Sequence, residues 1–410
     1  MTKTRSWIAP VLALALLLAA CGGSSSDSAD NAAPADEAAA TAEPEATAEP
    51  EPEPTAEPTP EPEPTEVPGR DFSAVTDAAE AFIDDEGLEG AGLIIVHVDD
   101  GVVYHEAFGG FTEDRISMVA SSSKMIAAGV LMKLDEEGVL DVDAPVTDIA
   151  AWAPDHPELM PVQLVSNSSG LVGLGPDLLY GPYICQWLPG PTLQECGEQV
   201  LSSVSDNDDV LAPDTEFRYG GAQWQVAGAL AEVASGESWV DLVERIYVEP
   251  CGVESLGWQN ILAVSGGADG YPAGFAGDPD LHEAATNPNI EGGAYISAGD
   301  YGTLLLMHLR GGVCDGEQVL SQNSLDRMHT DRIADYGGTA GENTGYGMGW
   351  WVDEETGIIS DGGAWGAYPW LNLEDGYGAY WVIEDEFGTT GRFSEELIGL
   401  VHEAVTGDEL

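Results

Sequence analysis

The sequence predicts an α/β fold in which an antiparallel sheet is flanked by terminal helices and carries a large, mostly helical insertion. Strand patterns occur near both ends of the region 71–410, whereas residues 139–345 alternate helical stretches with loops rich in Gly, Pro and Asp. The composition, 43% hydrophobic and 21% charged over 410 residues, is that of a globular protein. Strands from the two ends of this region therefore have to meet in one sheet, with the helices packed against it.

The individual elements follow from periodicity and from turn residues. Asp99-Asp100-Gly101 separates two apolar runs and is typical of a β-hairpin. Gly138 ends the helical pattern that begins at Ser121. The expected elements, in chain order, are a helix over 75–85, strands over 92–98 and 102–108, a helix from 121 to about 136, strands over 346–352, 357–360 and 378–383, and a closing helix over 394–405.

Residues 1–21 are predicted to be a signal peptide and not part of the fold. Lys3 and Arg5 precede an apolar run that is too short to cross a bilayer comfortably. The small residues before Cys21 resemble the lipobox of bacterial lipoproteins, which implies that Cys21 is lipidated and becomes the mature N-terminus. We therefore expect an extracytoplasmic protein that is anchored to the cell membrane through an N-terminal lipid. The alternative is an ordinary secretory signal with an incidental cysteine.

Residues 22–70 are predicted to be a disordered, Glu/Pro-rich tether. Their Thr-Ala-Glu-Pro and Glu-Pro repeats contain no large apolar side chain before Val67, so they cannot form a core. A specific acidic ligand for a partner is the alternative role. The folded domain is accordingly assigned to residues 71–410.

The charge balance excludes a class of partners. The chain has 73 acidic and 12 basic side chains, a formal net charge of −61. Residues 71–410 alone hold 60 acidic and 9 basic side chains, so the folded region carries −51. Such a surface repels polyanions, and we exclude nucleic acid as a partner. Adaptation to a saline habitat and simple solubility both account for this acidity.

Four cysteines follow Cys21, and an even number outside the cytoplasm predicts disulfides. Of the three pairings we favour Cys185–Cys196, which closes a short loop, together with Cys251–Cys314. Neither a CxxC nor an HxxxH pair supports a zinc site. We predict no metal and no cofactor.

Ser121 and Lys124 form a Ser-x-x-Lys pattern at the start of a helix. A lysine three residues after a serine lies on the same helical face, and a lysine buried among apolar neighbours can be partly neutral and accept the serine proton. Beyond the signal peptide the chain holds only two lysines, Lys124 and Lys133. The alternative is a capping serine followed by a surface lysine.

Further motifs follow this pattern in a fixed order. The segments are 116–145 around Ser121, 164–171, 217–236 and 292–301. Together they resemble the serine β-lactamase-like family, which includes class C β-lactamases, penicillin-binding peptidases and esterases. The resemblance covers residues 72–406 and implies an α/β sandwich and a helical lobe with an active site between them.

The resemblance implies roles for three side chains. Ser121 is the nucleophile, Lys124 is the base, and Tyr219 is a second base or proton relay. A packed aromatic is the alternative role for Tyr219. Relatives often carry Tyr-x-Asn, whereas this chain has Tyr219-Gly220-Gly221. The resemblance implies that the asparagine side chain hydrogen-bonds to the lysine and to a substrate amide, so here these hydrogen bonds are missing or made by another residue.

The family's third motif, Lys-Thr-Gly or His-x-Gly, falls on residues 360–366, where Asp361 stands in place of a cation. We expect the backbone N–H groups of Ser121 and Ala364 to form an oxyanion hole, since glycine allows a strand to approach the substrate closely. A structural bend is the alternative. Arg218 is the only basic residue adjacent to a motif. The predicted oxyanion and substrate-binding residues are Gly221, Gly363, Ala364 and Trp365.

We therefore expect a serine hydrolase that forms an acyl-enzyme with a small ester or amide, with carboxylic esters favoured. β-Lactamase, D-Ala-D-Ala carboxypeptidase or D-amino-peptidase activity is one alternative, and an inactive member that binds cell-wall fragments is another. The scattered histidines form no Ser-His-Asp pattern. No feature of the sequence specifies an oligomeric state. Five aromatic residues are predicted to belong to the core, with a substrate wall as the alternative, namely Trp350, Trp351, Trp365, Tyr368 and Trp370. Of these, Trp365 and Tyr368 lie beside the proposed oxyanion strand.

Overall fold

Strands from both ends of the folded region form one antiparallel sheet. The structure is a computed structural model, and it describes residues 69–174, 180–203, 209–264, 270–272 and 274–410. The predicted signal peptide with Cys21, and the predicted tether up to residue 68, lie outside the described residues. The described strands are β1 (Gly90–His97), β2 (Gly101–Gly109), β3 (Ile116–Met118), β4 (Gly257–Trp258), β5 (Ala294–Ser297), β6 (Val313–Cys314), β7 (Glu317–Gln318), β8 (Thr344–Tyr346), β9 (Trp351–Asp353), β10 (Ile359–Ser360), β11 (Tyr368–Asn372) and β12 (Tyr377–Val382).

The main sheet has seven strands in the order β2-β1-β12-β11-β10-β9-β8. The central pairing joins β1 to β12, with Leu93 opposite Trp381. Two smaller sheets, β3-β5-β4 and β6-β7, lie outside it. The predicted α/β class with an antiparallel sheet is confirmed.

Most of the helices lie between β2 and β8 in the chain, as the predicted helical insertion requires. Within the described residues, no helix is both long enough and apolar enough to span a membrane. The described α-helices are α1 (Ser73–Glu86), α2 (Lys124–Glu136), α3 (Val146–Ile149), α4 (Pro161–Val165), α5 (Leu193–Ser202), α6 (Gly221–Ser235), α7 (Trp239–Val243), α8 (Glu249–Cys251), α9 (Ile261–Val264), α10 (Ala298–Leu309), α11 (Gln322–His329), α12 (Phe387–Gly391) and α13 (Ser394–Thr406).

The core lies on both faces of the sheet. Successive side chains of a strand point to opposite faces, so Leu93 and Ile95 of β1 pack in the cluster that contains α1 and α13. Ile94 and Val96 pack in the larger cluster that contains α2, α6 and α10. The fold is thus a sheet between the two terminal helices and a helical lobe.

Two strand predictions were incomplete, each for a local reason. The strand expected over 346–352 is interrupted, and Gly349 has a φ of 79° in the turn between β8 and β9. A Cβ at Gly349 would lie 2.6 Å from the carbonyl oxygen of Lys124, so this turn passes directly against α2. Strand β11 was not predicted, because it contains Pro369 and proline argues against an interior strand.

Both favoured disulfides are present in the structure. Cys185 is bonded to Cys196 and Cys251 is bonded to Cys314, with sequence separations of 11 and 63 residues. The first closes the turn before α5 onto that helix, and the second joins α8 to β6. Crosslinks that close loops of these lengths restrict the unfolded chain and stabilise the helical lobe.

Candidate active site

Ser121 is presented by a tight turn at the start of α2. A 3-10 turn over Ala120–Ser123 precedes the helix, and Ala120 has a φ of 46°, a left-handed conformation that is unfavourable for alanine. Ser122 and Ser123 are buried, and their hydroxyls donate to backbone carbonyl oxygens at 2.5 and 2.6 Å. Of the three consecutive serines, only Ser121 is partly exposed.

Lys124 lies directly beneath Ser121. Its side chain is fully buried, and its Nζ donates to Ser121 Oγ at 2.9 Å and to the backbone carbonyl oxygen of Glu291, also at 2.9 Å. The Nζ is 4.7 Å from the centroid of the Tyr219 ring. The structure therefore brings Ser121, Lys124 and Tyr219 together.

The protonation state of Lys124 differs from the sequence-based expectation. Burial alone lowers the pKa of Lys124, but Tyr219, Glu291 and Asp361 around it raise this pKa above its ordinary value. The expectation of a partly neutral lysine was therefore wrong. Lys124 is an ammonium, in keeping with the two hydrogen bonds that it donates.

Tyr219 immediately precedes α6, and its ring packs among other aromatic side chains. The rings of Tyr219 and Trp351 are stacked with centroids 5.3 Å apart, and Phe217 and Tyr346 complete the cluster. Burial raises the pKa of Tyr219, while the nearby Lys124 ammonium opposes this rise without cancelling it. Tyr219 is thus a phenol at neutral pH.

The segment 164–171 positions Tyr219 through Asn167. The Asn167 Oδ1 accepts hydrogen bonds from Gln223 Nε2 at 2.6 Å and from Trp224 Nε1 at 3.1 Å, both in the first turn of α6. The backbone carbonyl oxygen of Asn167 accepts a hydrogen bond from the backbone N–H of Arg218 at 2.8 Å. Asn167 therefore fixes the chain on both sides of Tyr219.

The predicted oxyanion segment packs against the nucleophile turn. A Cβ at Gly363 would lie 2.1 Å from the carbonyl oxygen of Val119, so only glycine fits there. Ala364 is exposed, and no acceptor among the described residues takes a hydrogen bond from its N–H. Trp365 is half-buried and packs edge-on to Tyr271. An exposed N–H without a hydrogen-bond acceptor in the protein is what an oxyanion hole requires.

Asp361 is fully buried and does not face the cleft. Its Oδ2 accepts the Met125 N–H at 3.1 Å, so the carboxyl lies under the first turn of α2. Burial raises the pKa of Asp361 well above its usual range, although Lys124 and the Met125 N–H oppose the rise. Its Oδ1 has no hydrogen-bond partner among the described residues.

Glu291 is a site residue that the sequence analysis missed. Glu291 is 6% exposed, and its Oε2 is 3.9 Å from Lys124 Nζ. A Cβ at Gly221 would lie 1.9 Å from Glu291 Oε1, so this carboxyl occupies the space of a side chain at residue 221. The missing amide beside Gly221 was a signal, but sequence alone does not show which distant residue replaces it.

The other predicted residues fall into two groups. Trp350 and Trp370 are fully buried core residues, whereas Trp351 is half-buried and stacks on Tyr219, so its assignment to the core alone was wrong. Arg218 forms an ion pair with Glu216 at 3.2 Å and is not free to bind a substrate anion. The described residues contain no group of three or more His, Cys, Asp or Glu arranged to hold a metal ion.

The sheet, the helical lobe and a Ser-x-x-Lys helix beside a tyrosine define the class of β-lactamase-like proteins. The family model described as Beta-lactamase matches residues 75–402, and the chain belongs to this family. Members of this family are generally serine hydrolases, including esterases, acyltransferases and penicillin-binding proteins.

Sequence and structure comparisons agree with this assignment. "Penicillin-binding protein 4" of Amycolatopsis lactamdurans is 25% identical over 316 residues, which cover 72% of this chain and 79% of the relative. The octameric penicillin-binding protein homologue of Pyrococcus abyssi superposes with a TM-score of 0.61 at 21% identity, covering 80% of this chain and 77% of the other. EstCE1, a hydrolase with promiscuous acyltransferase activity, gives 0.64 at 20% identity, with coverages of 81% and 97%.

Proposed function

We propose that this protein is a serine hydrolase that cleaves neutral carboxylic esters through an acyl-enzyme, outside the cytoplasm. The observation that carries the proposal is the 2.9 Å hydrogen bond from Lys124 Nζ to Ser121 Oγ, with Tyr219 next to the same ammonium. A nucleophilic hydroxyl in contact with a buried ammonium and a phenol is a constellation for acyl transfer. An inactive binding module has no need of all three groups.

The proton route follows from the charges. Lys124 donates to Ser121 Oγ, so the group left to accept the serine proton is Tyr219, in the fraction of the enzyme in which this phenol has lost its proton to solvent and the ammonium stabilises the phenolate. The Ser121 Oγ bonds to the carbonyl carbon, the Ser121 and Ala364 N–H groups hold the oxyanion, and Tyr219 returns the proton to the departing alkoxide. Water then attacks the acyl-enzyme by the same route and releases the acid.

This route predicts the pH dependence of catalysis. Burial raises the pKa of Tyr219, so the fraction of enzyme in which Tyr219 can accept a proton grows as the pH rises. We expect kcat/KM to increase from neutral into alkaline pH. A profile that falls over this range would contradict the proposed base.

The electrostatics of the site support an uncharged substrate. Glu291 and Asp361 are the acids around Lys124, Arg218 is paired with Glu216, and residues 71–410 carry −51. A substrate carboxylate gains no cation here besides the Lys124 ammonium, which Ser121 and Glu291 already engage, and it meets the negative net charge of the domain. EstCE1, whose fold this chain shares, is a hydrolase, which is consistent with an esterase.

The penicillin-binding relative supports the alternative, hydrolysis of β-lactams or peptides. Specificity constants for p-nitrophenyl butyrate and for nitrocefin distinguish the two functions. We expect the larger value for the ester, and a larger value for nitrocefin would overturn our preference. A fluorophosphonate probe located by mass spectrometry should label Ser121, and Ser121→Ala should abolish both label and turnover.

The extracytoplasmic location rests on the lipobox-like segment at Cys21. Cys21→Ser should release the protein from the membrane fraction into the medium without changing its specific activity. Continued fractionation with membranes would place the anchor elsewhere in the chain.

A further inference from the structure

Gly221 leaves a space beside the start of α6, and the side chain of Glu291 fills it. The space that a side chain at residue 221 would fill is taken by the Glu291 carboxyl, whose Cδ would lie 2.0 Å from a Cβ at Gly221. The two residues are 70 positions apart in the chain. The carboxyl is nine-tenths buried, and its Oε1 has no hydrogen-bond partner among the described residues. An acid held in this way needs a reason other than stability.

The backbone around Glu291 is fixed to the same helix that begins at Gly221. Gln225, one turn further along α6, donates to Asn287 Oδ1 at 2.7 Å and accepts the Ile290 N–H at 3.2 Å. Gly292 N–H donates to the Asn289 carbonyl oxygen at 3.2 Å. Hydrogen bonds to α6 therefore fix the position of Glu291.

Glu291 contacts Lys124 in two ways. Its carbonyl oxygen accepts a hydrogen bond from Nζ at 2.9 Å, and its Oε2 is 3.9 Å from the same nitrogen. The titratable groups that face Nζ are Tyr219, Glu291 and Asp361, and Asp361 is engaged with the Met125 N–H. Glu291 is thus the acid that approaches the ammonium from the side of α6.

We propose that Glu291 is a positioning residue, which supplies from a distant segment the lysine contact that relatives with Tyr-x-Asn make from the position of Gly221. This proposal rests on the proposed function and deepens it. Burial raises the pKa of Glu291, while the Lys124 ammonium opposes this rise. In its ionised form the Glu291 carboxyl only accepts hydrogen bonds, whereas an amide also donates them, so the replacement is not equivalent. With Glu291 ionised the site lacks a donor for the amide carbonyl of an acylamino substrate, and simple acyl esters are the substrate class that it fits.

Lysine NMR tests the contact without any substrate. The full chain contains three lysines, Lys3, Lys124 and Lys133, so a sample labelled with 13C and 15N at lysine gives resolved side-chain signals. An opposite charge within about 4 Å raises a lysine pKa by about 1. We expect Glu291→Gln to lower the pKa of Lys124 by about this amount and to leave Lys133 unchanged. An unchanged Lys124 titration would overturn the proposal.

Kinetic variants test the positioning role. Glu291→Ala should lower kcat for p-nitrophenyl butyrate on the order of 10²-fold with little change in KM, because the reacting groups lose their alignment. Gly221→Asn alone overlaps with Glu291 and should also be impaired. The double variant Gly221→Asn/Glu291→Ala places a side chain in the space that Glu291→Ala empties. Its kcat should rise to at least about a tenth of the wild-type kcat.

The matched control is Glu232→Gln. Glu232 is a half-buried acid on α6, with a pKa raised by burial, and it accepts the Trp239 N–H at 2.9 Å. It lies 11 residues after Gly221, about 16 Å along the helix. Its variant should keep wild-type kcat and the wild-type Lys124 titration. Equal losses in Glu232→Gln and Glu291→Ala would show a general effect of buried charge and overturn the positioning role.

The outcomes separate this proposal from the proposed function. If wild-type protein hydrolyses the ester and Glu291→Ala does so equally well, the positioning role is wrong and the hydrolase remains. If wild-type protein has no activity but Glu291→Gln shifts the Lys124 titration, the contact is correct and the assigned reaction is wrong. If Gly221→Asn fails to rescue Glu291→Ala, a side chain at residue 221 does not substitute for Glu291, and the proposal that Glu291 replaces such a side chain is overturned.

Discussion

The two sides of the sheet bury different kinds of side chain. Between the sheet and helices α1 and α13, Phe82 and Phe393 stack with ring centroids 4.4 Å apart, and Trp381 packs against Phe393 at 5.5 Å. On the side of α2, the first helical turn buries the ammonium of Lys124 with the carboxyls of Glu291 and Asp361. One oxygen of each carboxyl has no hydrogen-bond partner among the described residues.

The difference separates stability from function. Apolar burial stabilises the fold in proportion to the area removed from water, whereas buried charges carry a desolvation cost that their mutual attraction only partly offsets. The buried groups Lys124, Glu291 and Asp361 lie together beside Ser121, on the other side of the sheet. We therefore expect substitutions in the aromatic layer, formed by Phe82, Trp381 and Phe393, to change stability. Substitutions around Lys124 should change catalysis.

The largest expected effect is on the aromatic layer. Phe393→Ala should lower the free energy of unfolding by about 3–5 kcal/mol, since it empties a site in a buried ring cluster. Urea denaturation at 25 °C measures this loss. The folded fraction should still react with a fluorophosphonate at the wild-type rate. Slower labelling of the folded protein would show that the two sides of the sheet are coupled.

Removal of the ammonium should have the largest effect on catalysis. Lys124→Ala should slow acylation by roughly 10²-fold or more, because Ser121 loses its hydrogen bond and Tyr219 loses the charge that stabilises its phenolate. Pre-steady-state release of p-nitrophenol measures this step. Lys133→Ala, on the same helix, should acylate at the wild-type rate. A normal burst in Lys124→Ala would remove the lysine from the mechanism.

A third cluster, a buried histidine pair between α10 and α11, should make stability pH-dependent. His308 Nδ1 and His329 Nε2 are 2.8 Å apart beneath Trp350. Burial lowers the pKa of His329 to about 4 and that of His308 well below its ordinary value. The unfolded chain binds protons at these residues near pH 6.5 and the folded chain does not, so their contribution to stability is lost as the pH falls below about 6.5.

The wild type should lose stability between pH 6.5 and 5 more steeply than His329→Gln. The expected difference in slope is about 1.4 kcal/mol per pH unit for each histidine whose protonation is removed. Urea denaturation at several pH values measures both slopes. Parallel curves would show that the pair does not control acid stability.

The smallest and most general effect concerns the acidic surface. With −51 on residues 71–410, mutual repulsion acts over a Debye length of about 10 Å at 0.1 M salt and over about 3 Å at 1 M. Melting temperature and ester hydrolysis should both rise with salt, equally in NaCl and KCl. A flat melting temperature contradicts screening. A rise specific to one cation indicates bound ions.

Much of the fold was predictable because local patterns suffice for it. The hairpin over 92–108 appears as β1 and β2, and the helix after Ser121 appears as α2 with its preceding 3-10 turn. Strand β11 was missed because it contains Pro369, which lacks a backbone N–H. The strand tolerates this proline because the Pro369 carbonyl oxygen makes the hydrogen bond there, accepting the Asp361 N–H. The break at Gly349 was missed because it depends on the proximity of α2.

The sequence by itself determined the family and the order of the motifs, and it singled out Ser121, Lys124 and Tyr219 as candidate catalytic residues, because each lies within a short segment whose residue types limit the chemistry. Only the tertiary structure decided that Lys124 is an ammonium and that Glu291 occupies the space beside Gly221. The physical reason is that a pKa and an empty volume are properties of an environment, and here that environment is assembled from α2, α6, the segment before β5 and the turn after β10.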